Sequence, residues 1–255
     1  MERMRDFPDL IFAVSLILLW FSARCAAYYR GRLRVLEQDV REDLGVILAA
    51  ALTLLGLIIG FTFSMALTRY DQRKNLEEEE ANAIGTEYLR VGLLPAADAA
   101  RVRELLKGYL DQRVLFYTDR DEGKLAEINA ATAQLQKGLW LAVQAPAAAQ
   151  QTPVVALAVG GMNDVLNSQG YTQAAWWNRI PFPAWCLMGA IAVFCNVLLG
   201  YQTKAAGGRA PRFFILPLIV ATAFFLIADI DSPRHGLIRV HPNNLMVVVQ
   251  SLGTP

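Results

Sequence analysis

Histidine occurs only twice in the 255 residues, as His235 and His241, and their separation matches neither a helical metal pair nor a zinc pattern. Cysteine occurs three times, at Cys25, Cys186 and Cys195, without paired spacing; this excludes a disulfide framework and reads as small buried hydrophobes. A Gly-rich phosphate loop, a nucleophile elbow and a Cys-x-x-Cys pair are all missing. Gly160-Gly161 is followed by Met162-Asn163 rather than by a Lys-Ser/Thr signature, and reads as a helix start or bend. With no catalytic constellation, the chain is not expected to be an enzyme, a lipid-directed one included, and neither cofactor nor metal is implied. Net charge is only +1, so no basic excess points to nucleic acid.

Charge is scarce too. At 55% apolar and 18% charged residues, the chain is too hydrophobic for an ordinary soluble domain and too charged to lie wholly in a membrane. Residues 45–68 contain no charged residue and no proline. At about 1.5 Å per helical residue this stretch is long enough for a hydrocarbon core of about 30 Å. Proline does not return until Pro95, so the same helix is predicted to continue well beyond the bilayer.

Three further apolar stretches, residues 7–28, 180–203 and 213–228, complete an all-α, four-span integral membrane protein. The first also has the layout of a secretory signal peptide, but Ser22-Ala23-Arg24 is a poor cleavage site and favours a retained helix. Residues 30–44 read as a short amphipathic surface hairpin, residues 204–212 as a tight basic connection, and Pro217 as a kink in the last span. The organisation expected is residues 1–68 as spans one and two, 69–179 as a soluble body continuous with span two, 180–228 as spans three and four, and 229–255 as a tail rich in charge and turn residues.

The body is patterned as helix throughout, with no alternation that predicts a sheet. Val102, Leu105, Leu106, Tyr109 and Leu110 form one apolar face; Leu125, Ile128, Thr132, Leu135, Leu139 and Ala142 form a second; Val155, Ala158, Met162, Val165 and Leu166 form a third. Breaks are expected at Pro95, at residues 121–123 and across residues 145–153. Trp176-Trp177-Asn178-Arg179 reads as a membrane-interface anchor. The run Glu77-Glu78-Glu79-Glu80 reads as a solvated face, or as partners for Arg73 and Lys74, because consecutive helical residues point in different directions. Equal numbers of basic residues flank the two membrane faces, so the positive-inside rule gives no orientation, although an even number of spans puts both termini and the body on one side.

Span two carries the pattern of most interest. Thr53, Gly56, Gly60, Ser64 and Thr68 follow one face, while Leu57, Phe61 and Met65 line the adjacent one. Small residues at this spacing fit a close helix-packing seam. They fit equally a pore-lining helix of an oligomer, with Leu57, Phe61 and Met65 at a constriction that gates by dewetting and Arg69 and Arg73 as positive rings at its mouth.

Several motifs resemble those of one family. Gly60-Phe61-Thr62-Phe63-Ser64-Met65-Ala66, Arg69-Tyr70-Asp71-x-Arg73, Glu80-Ala81-Asn82-Ala83-Ile84-Gly85-Thr86 and Leu93-Leu94-Pro95, together with Ala228-Asp229-Ile230-Asp231-Ser232-Pro233-Arg234-x-Gly236, are similar to the bacterial bestrophin-like family DUF4239. More distantly, Gly60-Phe61, Ala66, Arg69-Tyr70 and Arg73-Lys74 resemble the end of the second helix of bestrophins, which are pentameric anion channels with a cytosolic body and cytosolic termini. The resemblance implies a homo-oligomer, a pentamer, in the bacterial inner membrane, with small inorganic anions such as chloride as its ions and a lipid bilayer as its surroundings. Asn82, Thr86, Asp229, Asp231 and Arg234 belong to the shared motifs without an implied role. Asp229 and Asp231 are a sparse echo of the acidic calcium clasp of animal bestrophins, too sparse to imply calcium gating. The alternative expectation is a non-conducting membrane scaffold or sensor whose helical body binds a partner, with Asn82, Thr86 and Glu87 structural or part of that contact.

Overall fold

The computed structural model describes residues 7–32, 38–202 and 212–253. Eight α-helices follow one another: α1 (Pro8–Arg32), α2 (Gln38–Arg90), α3 (Ala96–Thr118), α4 (Glu122–Ala149), α5 (Pro153–Trp177), α6 (Phe182–Gln202), α7 (Arg212–Asp231) and α8 (Asn243–Gly253), with a short 3-10 turn at Val91–Leu93. No strand occurs among the described residues. Among the described residues, four stretches are long and apolar enough to cross a membrane: Pro8–Arg30, Asp39–Leu93, Pro153–Gln202 and Phe213–Asp231.

The chain forms two compact units, and α2 contributes residues up to Arg69 to the first and from Tyr70 onward to the second. In the first unit α1 packs against both α6 and α7. The buried side is built largely from small or slender residues, including Ala23, Ala192, Cys195 and Ala221. The outer side is apolar as well, with Ile17, Phe21 and Ile219 exposed, as expected of helices surrounded by lipid. Gly200 of α6 is required by this packing, because a Cβ there would meet the carbonyl oxygen of Ala23 and, at 3.0 Å, the Cβ of Ala26.

The second unit buries all three predicted apolar faces in one core, in which Val102, Leu106, Tyr109, Ile128, Leu139, Val155 and Met162 are fully or almost fully covered. Asp121 caps α4 by accepting the Gly123 N–H at 2.9 Å, and the Thr152 hydroxyl caps α5 by accepting the Val155 N–H at 3.2 Å, with Pro153 in the first turn.

Several expectations are corrected. The hairpin read at residues 30–44 is largely helix, since α1 runs to Arg32 and α2 begins at Gln38. The basic residues Arg3, Arg5, Arg34, Lys204 and Arg209, which flank the apolar stretches, lie outside the described residues. The break expected across residues 145–153 falls at residues 150–152: helix α4 passes through Pro146 to Ala149, and the Gln150 N–H reaches the Pro146 carbonyl at 2.9 Å. Trp176 is not an interface anchor: it is buried in the body, 4.7 Å from the Phe116 ring and 5.4 Å from Tyr117, whereas Trp177 is exposed. Of the tail, residues 240–253 belong to the body unit, where Leu245 is buried and Val248 and Leu252 pack on the core.

Candidate functional site

In the single chain, α2 presents Leu57, Phe61 and Met65 as one exposed stripe, 53%, 65% and 41% accessible. A different face of the same stretch is buried, through Leu48, Leu55, Thr62 and Ala66 at steps of seven and four residues. Beside the exposed stripe, Gly56 and Gly60 have open space where a Cβ would stand. The small-residue face of span two is therefore not a packing seam within the protomer; that role falls to Ala23 and Gly200.

Three hydroxyls on this helix are satisfied locally. Thr53 and Thr68 donate to the carbonyls of Ala49 and Ser64 at 2.9 Å, and Thr62 donates to Ile58 at 2.7 Å. Leu57, Phe61 and Met65 are themselves apolar, so the stripe offers a surface that a second helix or a narrow water column could meet.

Arg69 ends this segment in an ion pair with Asp231, Nη1 to Oδ1 at 3.7 Å. The same carboxylate accepts the Ile180 N–H at 3.1 Å and 3.2 Å, so Asp231 ties the end of α7 to Arg69 within α2 and to the residue that leads into α6. The second aspartate of the motif folds the turn that follows α7: Asp229 accepts the Leu237 N–H at 2.6 Å and the Ile238 N–H at 2.8 Å. Gly236 must be glycine here, because a Cβ would strike the Asp229 carbonyl and lie 3.2 Å from that of Ser232. Both aspartates are thus engaged by donors of the chain itself. Arg234 is half-buried in this turn.

Arg73, expected as a charge at a pore mouth, has a different place. It is 1% exposed, and its Nε and Nη2 donate to the carbonyls of Ala175 and Asn178 at 3.2 Å and 3.3 Å, bracing the last turn of α5. A guanidinium so buried is a structural clamp and not a solvent-facing ring of charge.

Beyond Arg73 the acidic run divides. Glu78 and Glu79 are exposed, but Glu77 and Glu80 are buried, three residues apart on one face. Glu80 accepts from Arg113, whose Nε is in close contact with Oε1 and whose Nη2 reaches Oε2 at 3.3 Å; Thr172 and Tyr117 add hydroxyl donors at 3.2 Å and 3.4 Å. Burial, followed by the charge of Glu80, holds the Tyr117 phenol well above its ordinary range. Glu77 accepts the N–H groups of Asn244 and Leu245 at the start of α8. The charge run concealed this division, for which the only signal in the sequence is the three-residue spacing.

Asn82 and Thr86 are exposed and line a cavity of about 210 Å³ with Ala83, Arg90, Gly161 and Asp164. Glu87, the next residue, is completely buried, and neither carboxylate oxygen accepts a hydrogen bond. Burial pushes its pKa up to about 8, Arg90 pulling it down and Asp164 adding to the rise. Gly160-Gly161, read from sequence as a helix start or bend, lies inside α5, and Gly161 leaves the space that the Glu87 carboxyl fills.

A bestrophin-like domain profile matches residues 8–245. Among solved structures, a variant of a bacterial bestrophin homologue from Klebsiella pneumoniae is similar at a TM-score of 0.63 and 16% identity, over 94% of this chain and 96% of that one. A structure of a bacterial bestrophin homologue from Klebsiella pneumoniae phased on zinc gives 0.61 and 15%, over 95% and 96%. A chain described as a membrane protein gives 0.60 and 15%, over 94% and 97%. No curated protein matches. At these identities the solved structures establish a shared fold.

Proposed function

Because the chain belongs to the bestrophin-like family, we propose that it assembles as a homo-oligomeric ion channel, a pentamer, conducting small anions such as chloride across the bacterial inner membrane, with its helical body and termini in the cytosol. One observation carries the reading. The most uniformly apolar segment of the chain leaves its Leu57, Phe61 and Met65 stripe exposed and the adjoining Gly56 and Gly60 uncovered, so the chain's own packing gives this face no partner. Copies of α2 arranged round an axis would cover the glycine side by close helix contact and turn the stripe toward a central dry constriction. Arg69 stands at the inner end of that constriction, its charge partly offset by Asp231.

The test is the mass of the crosslinked, detergent-purified complex, followed by chloride flux from liposomes containing the same sample. A ring with flux, and altered flux in Phe61→Ala, supports the reading. A monomer or dimer without flux overturns it. A ring without flux favours the non-conducting scaffold, and attention then moves to what the body binds.

A further inference from the structure

Among the described residues, Glu87 is the one buried carboxyl that the packing described above does not explain. Glu77 and Glu80 are buried as well, but each is satisfied, by the start of α8 and by Arg113 respectively. Glu87 is 0% exposed, and both of its oxygens lack a hydrogen-bond donor. An isolated buried carboxylate is costly, and a protein avoids the cost by protonating the group or by bringing a cation to it.

The surroundings provide for both. On α5, Gly161 has no side chain at the point where one would collide with the Glu87 Oε2; the Nη1 of Arg90 lies 2.7 Å from that same point. The guanidinium and the carboxyl therefore crowd one spot, within side-chain reach of each other. Arg90 instead makes a loose ion pair with Asp164 on α5, Nη1 to Oδ2 at 3.9 Å, with both side chains partly solvated at 38% and 68% exposure. Arg90, Gly161 and Asp164 all line the 210 Å³ cavity, which gives water and protons a path to the edge of the site. The charged groups acting on Glu87 are Arg90 on its own helix and Asp164 on α5. Arg103 of α3 is turned instead to the Tyr88 ring, 5.3 Å from its centre.

We propose that Glu87 is a proton-binding site whose occupancy selects the partner of Arg90: with the proton bound, Arg90 pairs with Asp164 across to α5, and with the proton released to solvent, Arg90 turns inward to the Glu87 carboxylate and frees Asp164. The exchange is local to the body unit and does not depend on conduction.

The raised pKa of about 8 puts the exchange in an accessible range. Because the folded carboxyl holds its proton more tightly than the ordinary value of 4.5, the stability it contributes is fully present below pH 4.5 and is lost as the pH rises through about 8.

The experiment uses the full chain in detergent. Infrared difference spectra between about pH 6 and about pH 9.5 are expected to lose a protonated-carboxyl band that Glu87→Gln lacks, and the unfolding midpoint, falling with pH in the wild type, is expected to flatten in the same variant. Asp164→Asn removes the group that disfavours ionisation and is expected to move the transition to lower pH; Arg90→Gln removes the cation that favours it and is expected to move it higher. A Glu87→Gln protein that keeps the band and the falling midpoint overturns the proposal. So do Asp164→Asn and Arg90→Gln variants that leave the transition where it was.

Discussion

Gly200 on α6 sits directly against the backbone carbonyl of Ala23 on α1, at a crossing too close for any Cβ at position 200. Neither residue lies in the small-residue run that marks span two, so the tight seam inside the protomer and the conspicuous glycines of the sequence are different features.

That contact gives the first prediction. Gly200→Val is expected to destabilise the membrane unit by about 1–3 kcal/mol, because a backbone oxygen cannot rotate away as a side chain would. Gly60→Ala is expected to leave the protomer's folding almost unchanged, since nothing lies within 4 Å of the added methyl, and to act on assembly instead. Thermal unfolding compared with crosslinked mass separates the two effects.

The Glu80–Arg113 pair has no exposure on either side chain. Glu80→Ala leaves a buried guanidinium uncompensated and is expected to cost about 3–5 kcal/mol. Replacing both residues with methionine is expected to recover much of the loss, which circular dichroism of the thermal transition would read. A double variant as unstable as the single one would mean that the pair provides more than mutual neutralisation.

Glu77 acts as a cap supplied from another helix. Its Oε1 accepts the Asn244 and Leu245 N–H groups, both at 3.0 Å, and its Oε2 accepts the Asn244 side-chain amide at 2.7 Å. Glu77→Ala is expected to cost about 0.5–2 kcal/mol, by analogy with the loss of an N-cap. The loss falls on α8, so cleavage by protease within residues 240–253 is expected to rise while the rest of the body stays resistant.

Gly161→Ala would force a methyl group into the space held by Glu87 and Arg90. It is expected to destabilise the wild type, and to do so much less when Glu87 is already alanine. The difference between the two backgrounds, a coupling of about 0.5–3 kcal/mol for residues in contact, is measured by a double-mutant cycle.

Asp231→Ala removes the partner of Arg69 and the acceptor of the Ile180 N–H together, whereas Asp231→Asn keeps an oxygen for the N–H and loses only the ion pair. The alanine variant is expected to be the less stable of the two by about 1–3 kcal/mol, the cost of leaving a buried donor unsatisfied. Equal stability would assign the role of Asp231 to its charge alone.

The sequence by itself determined the class of this protein. Four apolar spans, the unbroken helix from span two toward Pro95 and the three-four spacing of Val102, Ile128 and Val155 with their neighbours all follow from local periodicity and from the length a bilayer demands, which a single chain displays directly. Even the overlooked α8 has a readable face in Leu245, Val248 and Leu252. The roles of the charged residues were decided only by the tertiary structure. Nothing local distinguishes Glu78 from Glu77, or Arg69 from Arg73; one of each pair is buried and the other is not because helices distant in sequence bring Asn244, Asp231 and the carbonyl of Ala175 to those places. The space for Glu87 likewise depends on a glycine on another helix, because a buried charge is defined by what surrounds it in three dimensions and not by its neighbours along the chain.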